Sequence, residues 1–170
     1  MFVLLTLLLS ATAAKRGGRK NSKERAPRES CPVLLDEGAQ LYNQRRYDEA
    51  AAAYRRCIAV EPGNSKAHYN LGSTLQVVPS NERRHQAILH FEKALDTNPR
   101  YVNALFNLGT MQKELQLHEA AEKTYEQCIA LAPNDDQAIG NLGAVHQLQR
   151  RLPEAESLAR RALKLSPASK

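Results

Sequence analysis

The sequence predicts an all-α fold, a right-handed superhelical solenoid of four helical hairpins with about eight helices. Three observations predict it. The tripeptide Asn-Leu-Gly recurs as Asn70-Leu71-Gly72, Asn107-Leu108-Gly109 and Asn141-Leu142-Gly143, with spacings of 37 and 34 residues. A period of that length marks a supersecondary unit that buries its apolar face only by stacking on copies of itself. Around the tripeptide, Leu71 and Leu75, or Leu108, Met111 and Leu115, lie three or four residues apart, which is the helical period. The 170 residues include no Trp and three Phe, but alanine runs such as Ala50 to Ala53. That composition suits close packing of small residues between helices.

The elements follow in order. Residues 1–14 read as a secretory signal peptide. The apolar run Phe2 to Leu9 is too short to cross a bilayer, which takes about 20 residues, so no transmembrane span is expected. Ala11 and Ala13 follow at an A-x-A cleavage spacing, although no basic residue precedes the run. The expected location is the ER lumen or the extracellular space; if the run is not a working signal, the chain is cytoplasmic. Residues 15–30 read as a disordered basic linker with two Gly and one Pro. Seven basic residues against Glu24 and Glu29 place +5 of the formal +6 charge on residues 1–30, so the repeats are close to neutral. Residues 15–28 are a candidate for weak polyanion contact. They lack aromatic residues to stack on bases, and no specific nucleic acid is expected.

Cys31, Cys57 and Cys128 make neither a disulfide framework nor a zinc spacing. Cys57 and Cys128 fall on apolar helical stripes, where cysteine acts as a small hydrophobe. A Cys31–Cys57 bridge is the alternative in an oxidising lumen.

From Cys31 onward four units share one register, about 31–64, 65–101, 102–135 and 136–169. Twelve residues beyond Gly38, Gly109 and Gly143 stand Ala50, Ala121 and Ala155. Four further on are Tyr54, Tyr125 and Ala159, then Cys57, Cys128 and Ala162, then Pro62, Pro133 and Pro167. The second unit repeats this with Ala87, Phe91, Ala94 and Pro99 after three extra residues, which fall between Val77 and His85, where Pro79 and Ser80-Asn81 mark a lengthened turn. Gly72, Gly109 and Gly143 are mid-helix, where glycine costs about 1 kcal/mol against alanine. Close approach of the partner helix explains that cost, with Ala50, Ala87, Ala121 and Ala155 expected to face the glycines. The aromatics would then fill the space between units, and the prolines would end each second helix. Pro153 instead suits a first helical turn. No capping helix is expected after Pro167, so Leu158, Leu163 and Leu165 would leave apolar surface. Self-association there, or membership of a longer array, is the consequence.

This register resembles the tetratricopeptide repeat (TPR). The matching residues are Leu34, Gly38, Tyr47, Ala50, Tyr54 and Pro62 in the first unit and Leu71, Gly72, Ala87, Phe91, Ala94 and Pro99 in the second. They are Leu108, Gly109, Ala121, Tyr125 and Pro133 in the third and Leu142, Gly143, Ala155, Ala162 and Pro167 in the fourth. The resemblance implies a protein-binding scaffold whose first helices line a concave groove.

No H-E-x-x-H, CxxC, G-x-S-x-G, Walker or dinucleotide motif occurs, and the five histidines are scattered. The chain is therefore expected to be no enzyme, with no cofactor and no metal. The helical period puts Lys66, Tyr69, Asn70 and Ser73, then Asn103, Phe106, Asn107 and Thr110, then Gln137, Gly140, Asn141 and Ala144 on the groove face. An Asn side chain carries both a donor and an acceptor, so Asn70, Asn107 and Asn141 form a candidate ladder for the backbone of an extended peptide or partner protein. The alternative is that the same amides bridge neighbouring helices. The ladder is similar to those of the NLG-rich TPR arrays of O-GlcNAc transferases and of secretory-pathway transmembrane O-mannosyltransferases. That similarity implies peptide binding at Asn70, Asn107 and Asn141, with Asp36 breaking the row in the first unit. It leaves open an accessory, substrate-recruiting role beside a glycosyltransferase, with no catalytic domain in the chain. The co-chaperone TPR clamp requires basic groove residues where Leu35, Ala39, Asn103 and Asn107 stand.

Overall fold

The computed structural model describes residues 29–78 and 80–166. The expected signal segment, the polyanion stretch 15–28 and the closing Pro167 lie outside the described residues. Eight helices follow one another: α1 (Cys31–Asn43), α2 (Tyr47–Val60), α3 (Ser65–Leu75), α4 (Asn81–Thr97), α5 (Val102–Glu114), α6 (His118–Leu131), α7 (Asp136–Leu148) and α8 (Leu152–Leu165). Each packs on its neighbours in sequence, with α1·α2, α3·α4, α5·α6 and α7·α8 forming the tight hairpins. This nearest-neighbour stacking is the solenoid the repeat register predicts.

The helix ends have local causes. Asn64 and Asp135 each place a side-chain oxygen 2.9 Å from a backbone N–H three residues on, at Ala67 and Ala138, and Ser80 does the same to Arg83 at 3.1 Å. These caps satisfy donors that a helix start leaves free. Pro62, Pro99 and Pro133 lie two residues beyond the ends of α2, α4 and α6, and Pro153 sits in the first turn of α8. The short turns inside the first, third and fourth hairpins share a device that the sequence does not advertise. Arg45, Gln116 and Arg150 adopt positive φ of 61–62°. Arg46 N–H bonds Leu41 C=O (2.9 Å) and Arg45 N–H bonds Tyr42 C=O (2.9 Å), and the other two turns repeat the pattern. This is a Schellman closure, built here without the usual glycine.

The three extra residues of the second unit do not simply lengthen its turn. They extend α4 to 17 residues, against 14 for α2, α6 and α8. The added turn carries Arg83 to Asp48 (3.0 Å) on α2 and Arg84 to Glu114 (2.8 Å) on α5. At the N-terminal edge, Arg56 of α2 binds Glu29, with Nε 3.0 Å from Oε2. Cys31 and Cys57, both fully buried, are joined as a disulfide that ties the start of α1 to the end of α2. Cys128 is free and buried, and burial pushes its thiol up to about 11.

The glycine contacts correct one expectation. In the first three hairpins the aromatic rings, and not the alanines, make the nearest approach to the glycines. A Cβ on Gly38 would lie 2.5 Å from the Tyr54 ring, on Gly72 2.7 Å from Phe91, and on Gly109 2.9 Å from Tyr125. Each ring thus lies over the glycine of its own hairpin, because an aromatic side chain spans the helix gap that an alanine leaves open. Ala50, Ala87 and Ala121 are fully buried beside these rings. Only the fourth hairpin, with Ala159 at the aromatic place, brings Ala155 C=O within 3.4 Å of a Gly143 Cβ. On α8 no residue is fully buried; Leu158 packs against the second core cluster, while Leu163 and Leu165 are exposed.

Glycine-to-alanine variants measure this directly. Gly72→Ala and Gly109→Ala drive a methyl into a buried ring and should destabilise by about 1–3 kcal/mol. Gly140, in α7, has open space where a Cβ would go, so Gly140→Ala should stabilise by up to about 1 kcal/mol. Urea unfolding of the three variants checks this; equal effects would discard the ring-over-glycine packing.

Candidate binding groove

The face presented by α1, α3, α5 and α7 is where the candidate residues fall. On α3, Tyr69 is half-buried, its ring 4.7 Å from Tyr101 and 6.1 Å from Phe91. Asn70 and Ser73 follow it, and these three line a cavity of about 280 Å³ together with Ala39, Tyr42, Asn43 and Tyr54. Lys66 is exposed and lines a separate open depression with Pro32, Leu35, Asp36 and the turn before α3. On α5, Phe106 meets the edge of Tyr125 at 6.3 Å. Thr110 Oγ donates to Phe106 C=O (3.0 Å) and receives the Tyr125 hydroxyl at 3.0 Å. Asn103 and Gln137 are exposed near the starts of α5 and α7, and Asn141 is half-buried on α7.

The ladder amides are partly engaged with the protein itself. Asn107 Nδ2 lies 3.5 Å from Ser73 Oγ on the preceding hairpin. Asn141 Oδ1 accepts from Lys113 Nζ at 2.5 Å. Asn107 keeps its carbonyl and a second N–H, and Asn141 keeps its whole amino group. Asn107 and Asn141 thus touch neighbouring hairpins while keeping part of their hydrogen-bonding capacity. Sequence reasoning missed Tyr42, Asn43 and Tyr54 as groove residues, and Lys113 as the neighbour of Asn141. Tyr42, Asn43 and Lys113 sit near the ends of α1 and α5, beyond the four positions per unit that the helical period singled out.

Two polar clusters stiffen the joints around the groove. Glu122 of α6 accepts from Arg151 Nη1 (2.6 Å), Gln149 Nε2 (3.1 Å) and His146 Nε2 (3.1 Å), tying the third hairpin to the fourth. The Arg151 hydrogen bond leads in holding this carboxyl below its usual range. On the second hairpin, His68 Nε2–H donates to Pro62 C=O (3.0 Å). A carbonyl only accepts, so His68 Nδ1 carries the lone pair and receives His90 Nδ1–H at 3.0 Å. The rings stack at 5.3 Å. Burial leads in pushing His90 down to about 4, with the neighbouring His68 and Arg55 adding to it.

A stack of helical hairpins, each packed on the next, defines a repeat scaffold for protein interaction. The chain belongs to the tetratricopeptide-repeat family: TPR profiles match residues 35–75, 102–135 and 137–166. It is 32% identical to protein O-mannosyl-transferase TMTC1 of Homo sapiens, an alignment that covers 81% of this chain and 20% of that protein. It is 28% identical to the UDP-N-acetylglucosamine–peptide N-acetylglucosaminyltransferase of Giardia intestinalis over 51% of this chain and 6% of that one. The chain thus spans a fifth or less of these relatives. Among solved structures, MamA superposes with a TM-score of 0.76 at 21% identity, covering 81% of this chain and 78% of MamA, which shows the shared fold. The first TPR of Spaghetti (RPAP3) bound to HSP90 peptide SRMEEVD superposes with a TM-score of 0.66 at 27% identity, covering 71% and 93%. No described helix is long and apolar enough to cross a membrane.

The histidine pair sets a pH dependence. His90 stays neutral in the fold, while the unfolded chain takes up a proton below about 6.5. Acid therefore favours unfolding, and stability falls as pH drops from about 6.5 toward 4. Asn keeps a side-chain N–H donor without a titrating ring, so His90→Asn should flatten the melting temperature between pH 6.5 and 4.5. Identical slopes for variant and wild type would remove His90 as the cause.

Proposed function

We propose that this chain is a non-catalytic interaction module that holds an extended peptide, or an extended segment of a partner protein, along its concave face. What supports it is the row Asn70, Asn107 and Asn141, which recurs at one register position of three successive hairpins with amide groups not spent on the neighbouring hairpins. A peptide backbone presents alternating donors and acceptors, and an amide answers both. The match to a TPR bound to an HSP90 peptide supports peptide capture by this fold. The uncharged Leu35, Ala39, Asn103 and Asn107 favour backbone capture over a carboxylate clamp.

A second reading has its own support: the relatives at 28–32% identity carry transferase names, and the match covers a minor part of each. Here the same groove recruits the protein substrate of a glycosyltransferase. Both readings place the chain in the secretory lumen. The apolar run Phe2 to Leu9 and the Cys31–Cys57 bridge support that placement, since disulfides persist in oxidising compartments.

Replacing Asn70, Asn107 and Asn141 together by Ala removes hydrogen bonds worth about 0.5–1.5 kcal/mol each. Capture of peptides from an extended-peptide array should weaken at least about tenfold, with the helical circular dichroism unchanged. Undiminished capture by a folded triple variant would reject the groove. For the compartment, protein recovered from cells should begin after residue 13, block alkylation at Cys31 and Cys57 and leave Cys128 as the thiol. Cys57→Ser should cost about 2–4 kcal/mol in stability. Recovery of an intact Met1 with three alkylatable thiols would overturn the placement.

A further inference from the structure

The cavity between the first two hairpins is more than a stretch of groove. Tyr54 lies on its floor with 3% of its surface exposed. The equivalent phenol of the third hairpin, Tyr125, is satisfied by Thr110, which stands one residue past Gly109. One residue past Gly38 stands Ala39, which has no hydroxyl to offer. Among the described residues the Tyr54 hydroxyl has no hydrogen-bond partner. The second hairpin has Phe91 at this place and the fourth Ala159, neither of which carries a hydroxyl. The Tyr54 hydroxyl is thus left as a donor and an acceptor for a group entering the cavity.

The surroundings define what would answer it. Tyr42 and Tyr69 give apolar walls, and Asn43, Asn70 and Ser73 give neutral polar groups; no charged residue lines the cavity. A buried charge with no counter-charge is strongly disfavoured. Burial, then Tyr42, raises Tyr54 to about 12, so the phenol stays neutral at physiological pH.

We propose that this cavity is a side-chain pocket for a neutral residue with an apolar body and a hydrogen-bonding tip, a tyrosine being the best match, with Tyr54 as its polar contact. It rests on the groove reading for the origin of that residue, a bound extended chain. The pocket shares Asn70 with the ladder, and Asn107 reaches it only through Ser73. It would give the module a fixed register, because the ladder alone holds any backbone equally.

The test is fragment binding to the full chain, followed by amide chemical shifts of Asn43, Asn70 and Ser73. p-Cresol, the tyrosine side chain alone, should shift these signals. Toluene should bind roughly three- to tenfold more weakly for want of one hydrogen bond, and 4-methylbenzoate should not bind. Ala39→Thr gives Tyr54 the partner that Tyr125 has and should abolish the p-cresol shifts. Ala144→Thr, the matching change in the fourth hairpin, should keep them. Equal binding of toluene and p-cresol, or unchanged p-cresol binding by a folded Ala39→Thr variant, would overturn the pocket. p-Cresol binding by a chain that captures no peptide would uphold the pocket and reject only the groove.

Discussion

An aromatic ring packed against a bare glycine holds each of the first three hairpins together, and most of the molecule follows from that contact. Tyr54 on Gly38, Phe91 on Gly72 and Tyr125 on Gly109 leave no room for a Cβ. The mid-helix glycines cost helix propensity, but they let a large side chain bury completely between two helices. Leu71, Leu108 and the small Ala50 and Ala87 then fill one cluster that runs through successive hairpins. The fourth hairpin lacks the ring, and there the core thins: α8 has no fully buried residue.

The same helix that supplies the glycine supplies the groove. Within Asn-Leu-Gly, the Leu and Gly are buried in the core, and the Asn, one residue before the Leu, is only half-buried. Packing therefore fixes where the amide row lies without using the amides. That separation lets the groove change chemistry while the solenoid stays constant. Thr110, Ser73, Ala39 and Ala144 occupy one repeat position with four local consequences. Thr110 serves a phenol, Ser73 reaches Asn107, Ala39 leaves a phenol open, and Ala144 sits where no phenol exists.

Joints between hairpins carry a different kind of interaction. Glu122 gathers Arg151, Gln149 and His146, and the extra turn of α4 sends Arg83 and Arg84 to opposite neighbours. The exposed pairs contribute little to stability singly. Their geometric effect is to fix how one hairpin sits on the next, and so the spacing of the groove amides. The His68–His90 contact makes part of that frame sensitive to acid.

Sequence alone determined the helical period, the four-unit register, the glycine and proline positions and the face that bears Asn70, Asn107 and Asn141. It could do so because these depend on local spacing, which repeats. Only the tertiary structure decided that rings and not alanines cover the glycines, since Ala50 and Tyr54 share one helix stripe and spacing does not say which crosses the gap. Only it decided that the three extra residues lengthen α4, and that Arg45, Gln116 and Arg150 take the left-handed turn position without a glycine to announce it. The same holds for His68 with His90, 22 residues apart, and for the cavity shared by Tyr42, Tyr54 and Asn70. These are contacts between different helices, set by how the hairpins close and stack, and no periodicity in the chain encodes them.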